Sequence, residues 1–258
     1  MSESYREYLD FAMEIAWHAG QLSRGYFQTG LRPDFKSDDS PVTVADREAE
    51  RLVRSRIEAR YPGHAIVGEE FGDEGSEGRS HRWIIDPIDG TRAFVRGVPL
   101  YGVLIGLEIE GECRVGVANF PVMGEMIAAA TGTGCWWNGR RTRVSSVEHL
   151  KEGLIAHADT GSFAHYGKAE AWARLQQAAG FRAGWGDSYG YLLVATGRAE
   201  VMLDPIMNVW DCAPFMPILR EAGGYCGDWQ GNPTIYGNEL LGTTSALLPE
   251  VLHLLHGE

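Results

Sequence analysis

The segment Asp86-Pro87-Ile88-Asp89-Gly90-Thr91 combines two carboxylates with residues that form a tight turn. Pro87 holds Asp86 out of the α region, and Gly90 permits a turn whose backbone amides would face an anion. Magnesium prefers oxygen ligands and usually takes one or two carboxylates together with waters and substrate phosphate. The segment therefore predicts a magnesium site beside a phosphate-binding turn. The competing interpretation is an ordinary turn, because Asp, Pro and Gly are common turn residues.

Two other acidic motifs are candidates for the same site. Glu69-Glu70 follows a short apolar run, and Asp211 follows Trp210 at the start of a helical pattern. Carboxylates at neighbouring strand ends repel one another unless cations neutralise them, which favours a metal site. Each motif alone also fits a simpler structure, namely a solvated acidic loop for Glu69-Glu70 and an N-terminal helix acid for Asp211.

Composition excludes several classes of function. The 258 residues carry a formal net charge of −12, and no basic run exceeds the Arg140-Arg141 pair, so nucleic acid and anionic membranes are not expected partners. The four cysteines lie far apart without a C-x-x-C motif, which predicts reduced core thiols rather than zinc or disulfides. No apolar stretch approaches the roughly 18 residues of a membrane span, so we expect a soluble cytoplasmic protein.

The spacing of apolar residues predicts the elements that position these acids. Repeats of three and four residues predict helices at 5–27 and 45–60. Short apolar runs at 65–67 and 83–85 predict strands that end directly on acidic residues. The region 100–131 has the pattern of an antiparallel meander.

The second half of the chain alternates predicted strands with predicted helices, which favours an α/β arrangement. A hairpin is predicted at Asn138-Gly139. The predicted strands are 154–156, 201–203 and 240–241, and the predicted helices lie near 168–179, 188–197, 211–222 and 247–256.

In order and spacing, Glu69-Glu70, the segment 86–91 and Trp210-Asp211-x-Ala213 resemble the inositol monophosphatase superfamily of lithium-sensitive, magnesium-dependent phosphatases. The resemblance covers nearly the whole chain. It implies an α+β fold, a layered sandwich of alternating α-β-α-β-α layers with mixed sheets. The basic stretch 140–143 predicts a seam between an N-terminal α+β lobe (1–140), with most metal ligands, and a C-terminal α/β lobe (141–258), with Asp211 and the substrate-recognition residues. The resemblance also implies a homodimer.

The same resemblance implies a set of metal ligands. Glu69, Asp86 and the carbonyl of Ile88 would hold one Mg²⁺, while Asp86, Asp89 and Asp211 would hold a second, so that Asp86 bridges the pair. Two such metals can clamp an in-line displacement at phosphorus. A third, looser Mg²⁺ near Glu69 is typical of the family.

The catalytic roles implied by the resemblance need no covalent phosphoenzyme. Water would be the nucleophile, activated through a hydroxyl relay from Thr91 to Asp46, with Glu69 also positioning solvent. Asp46 fits a helix-capping box as well, and both roles can hold at once. The amides of Gly90 and Thr91 would bind the phosphate. Lys36 matches a family lysine near the site, although a solvated loop lysine is the simpler interpretation.

Two longer segments, 86–107 and 186–224, resemble the histidinol-phosphatase branch of this superfamily. The most informative features are Thr91-Arg92-Ala93-Phe94 and Leu203-Asp204-Pro205, where inositol monophosphatases more often have Thr-Asn-Phe and Glu. This branch implies magnesium-dependent hydrolysis of a small phosphorylated metabolite, L-histidinol phosphate, to L-histidinol and phosphate in histidine biosynthesis. Inositol-1-monophosphatase or a related small-phosphate phosphatase is the alternative.

Histidinol phosphate carries an amine and an imidazole, so acidic side chains in the leaving-group pocket are expected. The candidates are Asp187, Asp204 and Glu70, and the resemblance aligns Asn208 towards the alcohol. A helix N-cap at Asp187 and a turn acid at Asp204 are the structural alternatives.

Two different classes of function remain as alternatives. Gly186-Asp187-Ser188-Tyr189-Gly190 formally matches G-x-S-x-G, which would make Ser188 the nucleophile of a serine hydrolase with His253 and either Asp204 or Asp211. A non-catalytic scaffold is the other, since a fold does not guarantee activity. No nucleotide cofactor is indicated.

Overall fold

The computed structural model describes residues 5–37, 40–75 and 78–257. The first half of the chain forms α1 (Tyr5–Tyr26), β1 (Asp34–Phe35), β2 (Pro41–Val42), α2 (Val44–Arg60), β3 (Ala65–Gly68), β4 (Gly72–Glu74), β5 (His81–Asp89), α3 (Thr91–Val95), β6 (Gly102–Ile109), β7 (Glu112–Phe120), β8 (Glu125–Ala130), β9 (Gly134–Trp137) and β10 (Arg140–Arg141). The second half forms a 3-10 turn (Leu150–Glu152), β11 (Leu154–Ala156), α4 (Thr160–His165), α5 (Ala169–Ala178), β12 (Phe181–Ala183), α6 (Ser188–Ala195), β13 (Val201–Asp204), α7 (Val209–Cys212), α8 (Phe215–Glu221), β14 (Gly224–Gly227), β15 (Leu240–Thr244) and α9 (Leu248–His256).

The larger sheet has eight strands in the order β10-β9-β8-β7-β6-β5-β3-β4. Its pairs are antiparallel except that β3 runs parallel to β5. Helices α1 and α2 cover one face, where Ala12, Ile15 and Ala16 of α1 are fully buried against Trp83 and Ile85 of β5. The small residues on α1 let the helix lie close to the sheet. The predicted helices 5–27 and 45–60 are confirmed within one residue.

The smaller sheet has five strands in the order β12-β11-β13-β15-β14 and mixes parallel and antiparallel pairs. Helices α6 and α8 lie between the two sheets, because Leu192 and Phe215 share one buried cluster with Ile84 of the larger sheet and Met202 of the smaller one. Helices α5 and α9 pack on the outer face of the smaller sheet. The predicted α-β-α-β-α layering with mixed sheets is therefore confirmed.

One predicted helix is wrong in its extent. The sequence pattern predicted a single helix near 211–222, but the structure has α7 and α8 with Ala213 and Pro214 between them. Pro214 lacks the N–H that would donate to the carbonyl of Trp210, so the intrahelical ladder is interrupted there. Strand β12, at the edge of its sheet, was not predicted, because its first two residues, Phe181 and Arg182, are exposed and do not form a buried apolar run.

A pair of glycines opens the middle of the larger sheet to the junction of α7 and α8. Gly106 on β6 and Gly116 on β7 lie opposite each other in register. A Cβ at Gly106 would lie 2.7 Å from the Cβ of Ala213, and one at Gly116 would overlap the carbonyl of Pro214. We call these two residues the glycine patch, and it allows the end of α7 to approach the sheet.

The division of the chain near residue 140 coincides with a change of sheet, since β10 ends at Arg141 and β11 begins at Leu154. The two sheets nevertheless share the buried cluster around α6 and α8. The two-lobe description stays a prediction. No helix in the described part of the chain combines the length and apolar character needed to cross a membrane.

Candidate metal centre and active site

Strand β5 carries the first two acids of the site at its C-terminal end. Its register with β6 pairs Asp86 with Leu104 and Asp89 with Gly102, so β5 has one extra residue between these pairs. Side chains three residues apart in a regular strand point to opposite faces, and one extra residue reverses this. The irregularity therefore directs both carboxylates to the same side, where the amide of Ile88 donates to Asp86 Oδ1 at 3.0 Å.

Asp211 reaches these acids from the second half of the chain. It lies in the first turn of α7, and its Oδ2 accepts a hydrogen bond from the amide of Asn208 at 2.8 Å. Because the glycine patch lets the end of α7 pack on the sheet, carboxylate oxygens of Asp86, Asp89 and Asp211 come within 4.8 Å of one another. No histidine or cysteine joins this group among the described residues.

Glu69 lies beside the group because β3 is parallel to β5. Its amide donates to the carbonyl of Ile85 at 3.2 Å, and its carboxylate accepts a hydrogen bond from Lys36 Nζ at 2.8 Å. The same ammonium group lies 2.7 Å from Glu70 Oε1. Burial alone lowers the pKa of Lys36, but its contacts with Glu69 and Glu70 outweigh this effect and raise that pKa above its usual value.

The electrostatics of the acidic group favour a cation. Burial, followed by the charges of Glu69, Asp89 and Asp211, raises the pKa of Asp86 well above its usual value. Burial is also the main reason why the pKa values of Asp89 and Asp211 rise to about 7, with nearby carboxylates adding to it. These groups therefore retain protons at near-neutral pH unless a cation stabilises their charged forms.

The donor set suits magnesium rather than a softer metal. All the groups that converge here are carboxylate or carbonyl oxygens, which are the ligands of a small hard cation. The four cysteines are free and buried without joining the acidic group, and burial raises the pKa of Cys113 to about 12. The prediction of reduced core thiols is thus confirmed.

Thr91 and Asp46 are brought together across 45 positions of sequence. Thr91 Oγ1 is 3.2 Å from Asp46 Oδ1 and 3.0 Å from the carbonyl oxygen of Ile88, so its single proton has two possible acceptors. The other oxygen of Asp46 accepts from the amide and hydroxyl of Thr43 at 2.8 and 2.5 Å. Asp46 therefore caps α2 and contacts Thr91 at the same time.

Gly90 occupies the left-handed region, with φ of 78° and ψ of 40°, immediately before α3. A Cβ at this position would lie 3.1 Å from Asp187 Oδ2 and 3.1 Å from the carbonyl oxygen of Leu100. Gly90 thus permits both the turn and the close approach of Asp187. Burial and the charges of Asp204 and Asp211 raise the pKa of Asp187 to about 6, while Arg92 opposes this rise.

The remaining substrate candidates differ in exposure. Asp204 is buried, accepts a hydrogen bond from the Tyr191 hydroxyl at 3.0 Å, and has its pKa raised to about 7 mainly by burial. Burial likewise raises the pKa of Glu70 to about 7, against the hydrogen bond from Lys36. Asn208 is exposed at the start of α7.

Ser188 has a structural partner that differs from the serine-hydrolase alternative. Its amide donates to Asp89 Oδ2 at 2.9 Å, and its hydroxyl donates to the same oxygen. Among the described residues, the partner of this hydroxyl is thus a carboxylate of the acidic group rather than His253, which lies in the last turn of α9. The G-x-S-x-G match therefore gains no support from the structure.

Three residues near the site were not predicted from the sequence, namely Ser188, which contacts Asp89, and the pair Glu50 and Arg54. Both are buried in α2, where they follow Asp46 at intervals of four residues. This spacing places Asp46, Glu50 and Arg54 on one helix face. Three charged residues on one face next to an apolar stripe were the available signal.

Comparisons with known proteins agree with this geometry. A model described as "Inositol monophosphatase family" matches residues 4–256. A histidinol-phosphatase of Chlorobaculum parvum is 46% identical over 232 residues, covering 90% of this chain and 89% of its own, and an inositol-1-monophosphatase of Mesorhizobium japonicum is 32% identical over 238 residues, covering 89% and 88%. A solved inositol monophosphatase from Zymomonas mobilis has a TM-score of 0.89 at 28% identity, covering 98% of this chain and 99% of its own.

Proposed function

The chain belongs to the inositol monophosphatase family and is a phosphoric monoester hydrolase, and from this premise we propose that it hydrolyses L-histidinol phosphate to L-histidinol and phosphate. The observation that carries the proposal is the group of Asp86, Asp89 and Asp211, because three convergent carboxylates, one buried and two half-buried, suit a magnesium-dependent phosphatase. The high identity to the Chlorobaculum parvum histidinol-phosphatase supports the choice of substrate.

Two sets of residues would hold Mg²⁺. Asp86, Asp89 and Asp211 would hold one ion, and Glu69, Asp86 and the carbonyl of Ile88 would hold the other. The Ile88 carbonyl has a second lone pair available besides the one facing Thr91. When bound, the ions would neutralise the phosphoryl charge and act as Lewis acids.

A third, looser cation near Glu69 would compete with an ammonium group. Lys36 Nζ lies within 2.8 Å of both Glu69 and Glu70 carboxylates, so it already supplies positive charge there. A cation at this position would displace or share that ion pair. This competition supports weak rather than tight binding of a third ion.

The residues of the chain would move the proton and hold the phosphate. The Thr91 hydroxyl would accept a proton from the attacking water while passing its own proton to Asp46, whose pKa is raised by burial. The hydrogen bonds from Thr43 keep Asp46 oriented towards Thr91. The amides of Gly90 and Thr91 would bind phosphate oxygens at the start of α3.

Recognition of the leaving group would depend on negative charge. Asp187 lies next to Gly90, and thus next to the proposed phosphate position, so its carboxylate is well placed for the substrate's ammonium or imidazole. Asp204 would act mainly through its charge, because it is buried and bonded to Tyr191. Glu70 and Asn208 are further candidates for contact with the substrate.

Inositol 1-phosphate is the second candidate substrate, because the Mesorhizobium japonicum relative is named an inositol-1-monophosphatase. Inositol carries no positive charge, so its hydroxyl groups could donate hydrogen bonds to the carboxylates of Asp187 and Asp204 but could form no ion pair with them. A homodimer and a cytoplasmic location complete the proposal.

A panel of phosphate-release assays tests this function. Purified protein is supplied with histidinol phosphate, inositol 1-phosphate, fructose 1,6-bisphosphate or adenosine 3′,5′-bisphosphate, with Mg²⁺ or with excess chelator. We expect the highest kcat/KM for histidinol phosphate and no turnover with chelator. A preference for inositol 1-phosphate would overturn the substrate, and full activity in chelator would overturn the role of magnesium.

A further inference from the structure

The turn between β3 and β4, residues 69–71, is hydrogen-bonded to a buried ion pair of α2. Glu50 Oε2 accepts a hydrogen bond from the amide of Glu70 at 2.8 Å, and Glu50 Oε1 accepts one from the amide of Phe71 at 3.2 Å. Arg54 Nε donates to Glu50 Oε1 at 2.8 Å. The Glu50 carboxylate therefore binds two successive amides of the turn and one guanidinium group.

Arg54 extends the same contact to the end of the turn. Its Nη2 donates to the carbonyl of Gly72 at 2.5 Å, and its Nη1 lies 3.2 Å from Glu74 Oε2. The guanidinium also lies 5.9 Å from the centroid of the Phe71 ring. Together, Glu50 and Arg54 contact the backbone of three consecutive residues outside α2. The stability of α2 itself does not require these contacts.

The approach of Glu50 to the turn also constrains strand β3. A Cβ at Gly68 would overlap the Glu50 carboxylate, so the last residue of the strand must be glycine for this contact to form. Glu69 follows directly, with its amide bonded to Ile85 on β5 and the next amide bonded to Glu50. The backbone of Glu69 is thus fixed on both sides.

Burial of an ion pair costs free energy of desolvation, so the presence of this one favours a role in fixing the local geometry. Glu50 is fully buried and Arg54 nearly so, and a buried ion pair is often no more stabilising than apolar residues of similar size. Here the pair holds the backbone that presents Glu69 to the acidic group. Asp46, one helical turn earlier, performs the same kind of task for Thr91.

We propose that Glu50 and Arg54 are positioning residues that orient the Glu69 carboxylate and thereby set the affinity of the Mg²⁺ ion held by Glu69. This inference rests on the proposed function, because it takes Glu69 to be a metal ligand. Neither residue touches the substrate or the reacting atoms. Groups that orient metal ligands typically change metal affinity by about 10- to 100-fold when they are removed.

The test is a calorimetric titration of Mg²⁺ into metal-free protein, which does not depend on turnover. The variant is Glu50→Gln, which keeps one acceptor oxygen but loses the charge that binds Arg54. We expect the affinity for one Mg²⁺ to fall by about 10- to 100-fold. The Mg²⁺ concentration for half-maximal phosphate release should rise in parallel.

The matched control is Glu108→Gln. Glu108 is also buried and ion-paired, with Oε2 2.6 Å from Arg82 Nη2 and Oε1 accepting from the Tyr236 hydroxyl at 2.7 Å. It pairs with Arg82 at the opposite end of β5 from Asp86. We expect Glu108→Gln to lower thermal stability without changing Mg²⁺ affinity.

The outcomes separate this inference from the proposed function. Wild-type Mg²⁺ affinity in Glu50→Gln, or an equal loss in Glu108→Gln, would overturn the positioning role alone. Absence of Mg²⁺ binding by the wild type would overturn the proposed function and this inference together. If Glu50→Gln does not fold, Arg54→Lys carries the same test, because one ammonium cannot reproduce the forked contacts of the guanidinium.

Discussion

At the scale of single residues, Thr91 has the most specific expected role. Its hydroxyl links the Ile88 carbonyl to Asp46, so Thr91→Val removes the proton path while keeping the size of the side chain. We expect kcat to fall by about 10²- to 10⁴-fold, with Mg²⁺ affinity nearly unchanged. Steady-state phosphate release and calorimetry measure the two effects.

Thr91→Ser is the control for this prediction, because serine retains the hydroxyl. It should keep most of the activity. A Thr91→Val enzyme with nearly normal kcat would show that the water is activated by another group.

Asp187 is expected to decide between charged and neutral leaving groups. Its pKa of about 6 means that the carboxylate is charged at pH 8, where Asp187→Asn removes that charge. We expect KM for histidinol phosphate to rise by about tenfold, which corresponds to roughly 1.4 kcal/mol, and KM for inositol 1-phosphate to change little. Initial rates at pH 8 with both substrates measure this difference.

Asp159→Asn provides a matched control, since Asp159 is an exposed acid that caps α4. It should leave both KM values unchanged. An equal rise in KM for the two substrates in Asp187→Asn would mean that Asp187 does not recognise the positive charge.

At the scale of elements, the acids of the site were predictable because each follows a local pattern. The strands that lead to Glu69 and Asp86 could be predicted from short apolar runs, and the structure has both, although β5 continues through Asp86 to Asp89. The contacts of Ser188 with Asp89 and of Glu50 with the amide of Glu70 were not predictable. They join residues 99 and 20 positions apart, and no local pattern encodes such pairing.

The break between α7 and α8 shows a second limit of the sequence pattern. The apolar spacing of 211–222 continues through Pro214, so periodicity alone predicts one helix. Pro214 interrupts the intrahelical ladder, and the packing of Ala213 and Pro214 on the glycine patch fixes the position of the junction between α7 and α8.

Gly116→Ala tests the glycine patch. The added methyl group would overlap the Pro214 carbonyl, which belongs to the backbone and cannot rotate away. We expect a loss of about 1 to 3 kcal/mol in the free energy of unfolding from overpacking. We also expect weaker Mg²⁺ binding, because Asp211 would move away from Asp86. Thermal unfolding and calorimetry measure the two effects.

Gly25→Ala in α1 is the control for that prediction, because a Cβ there meets no atom within 4 Å. It should leave Mg²⁺ binding unchanged and stabilise the helix slightly. Unchanged Mg²⁺ affinity in Gly116→Ala would show that the glycine patch does not position Asp211.

At the scale of the whole molecule, we expect the acidic group to couple stability to pH and to cations. In metal-free protein the pKa values of Asp89 and Asp211 rise to about 7 from a usual value near 3.8, so the folded state binds protons more tightly than the unfolded state. The associated stability is complete below pH 4 and is lost as pH rises towards 7. Mg²⁺ should restore it by stabilising the charged forms.

We therefore expect added Mg²⁺ to raise the Tm more at pH 8 than at pH 5. Differential scanning calorimetry with and without Mg²⁺ at the two pH values measures the difference. Asp211→Asn, which removes one of these acids, should reduce it. A larger Tm increase at pH 5 would contradict the assignment of the cation site to this group.

The glycine patch has a consequence for the order in which the protein is made. Asp86 and Asp89 leave the ribosome more than a hundred residues before Asp211, and Ala213 and Pro214 must then pack on Gly106 and Gly116 to bring Asp211 to the acidic group. A nascent chain that has not yet reached α7 therefore lacks one carboxylate of the site. The proposed ability of Asp86, Asp89 and Asp211 to hold a cation together therefore arises only after α7 has been made.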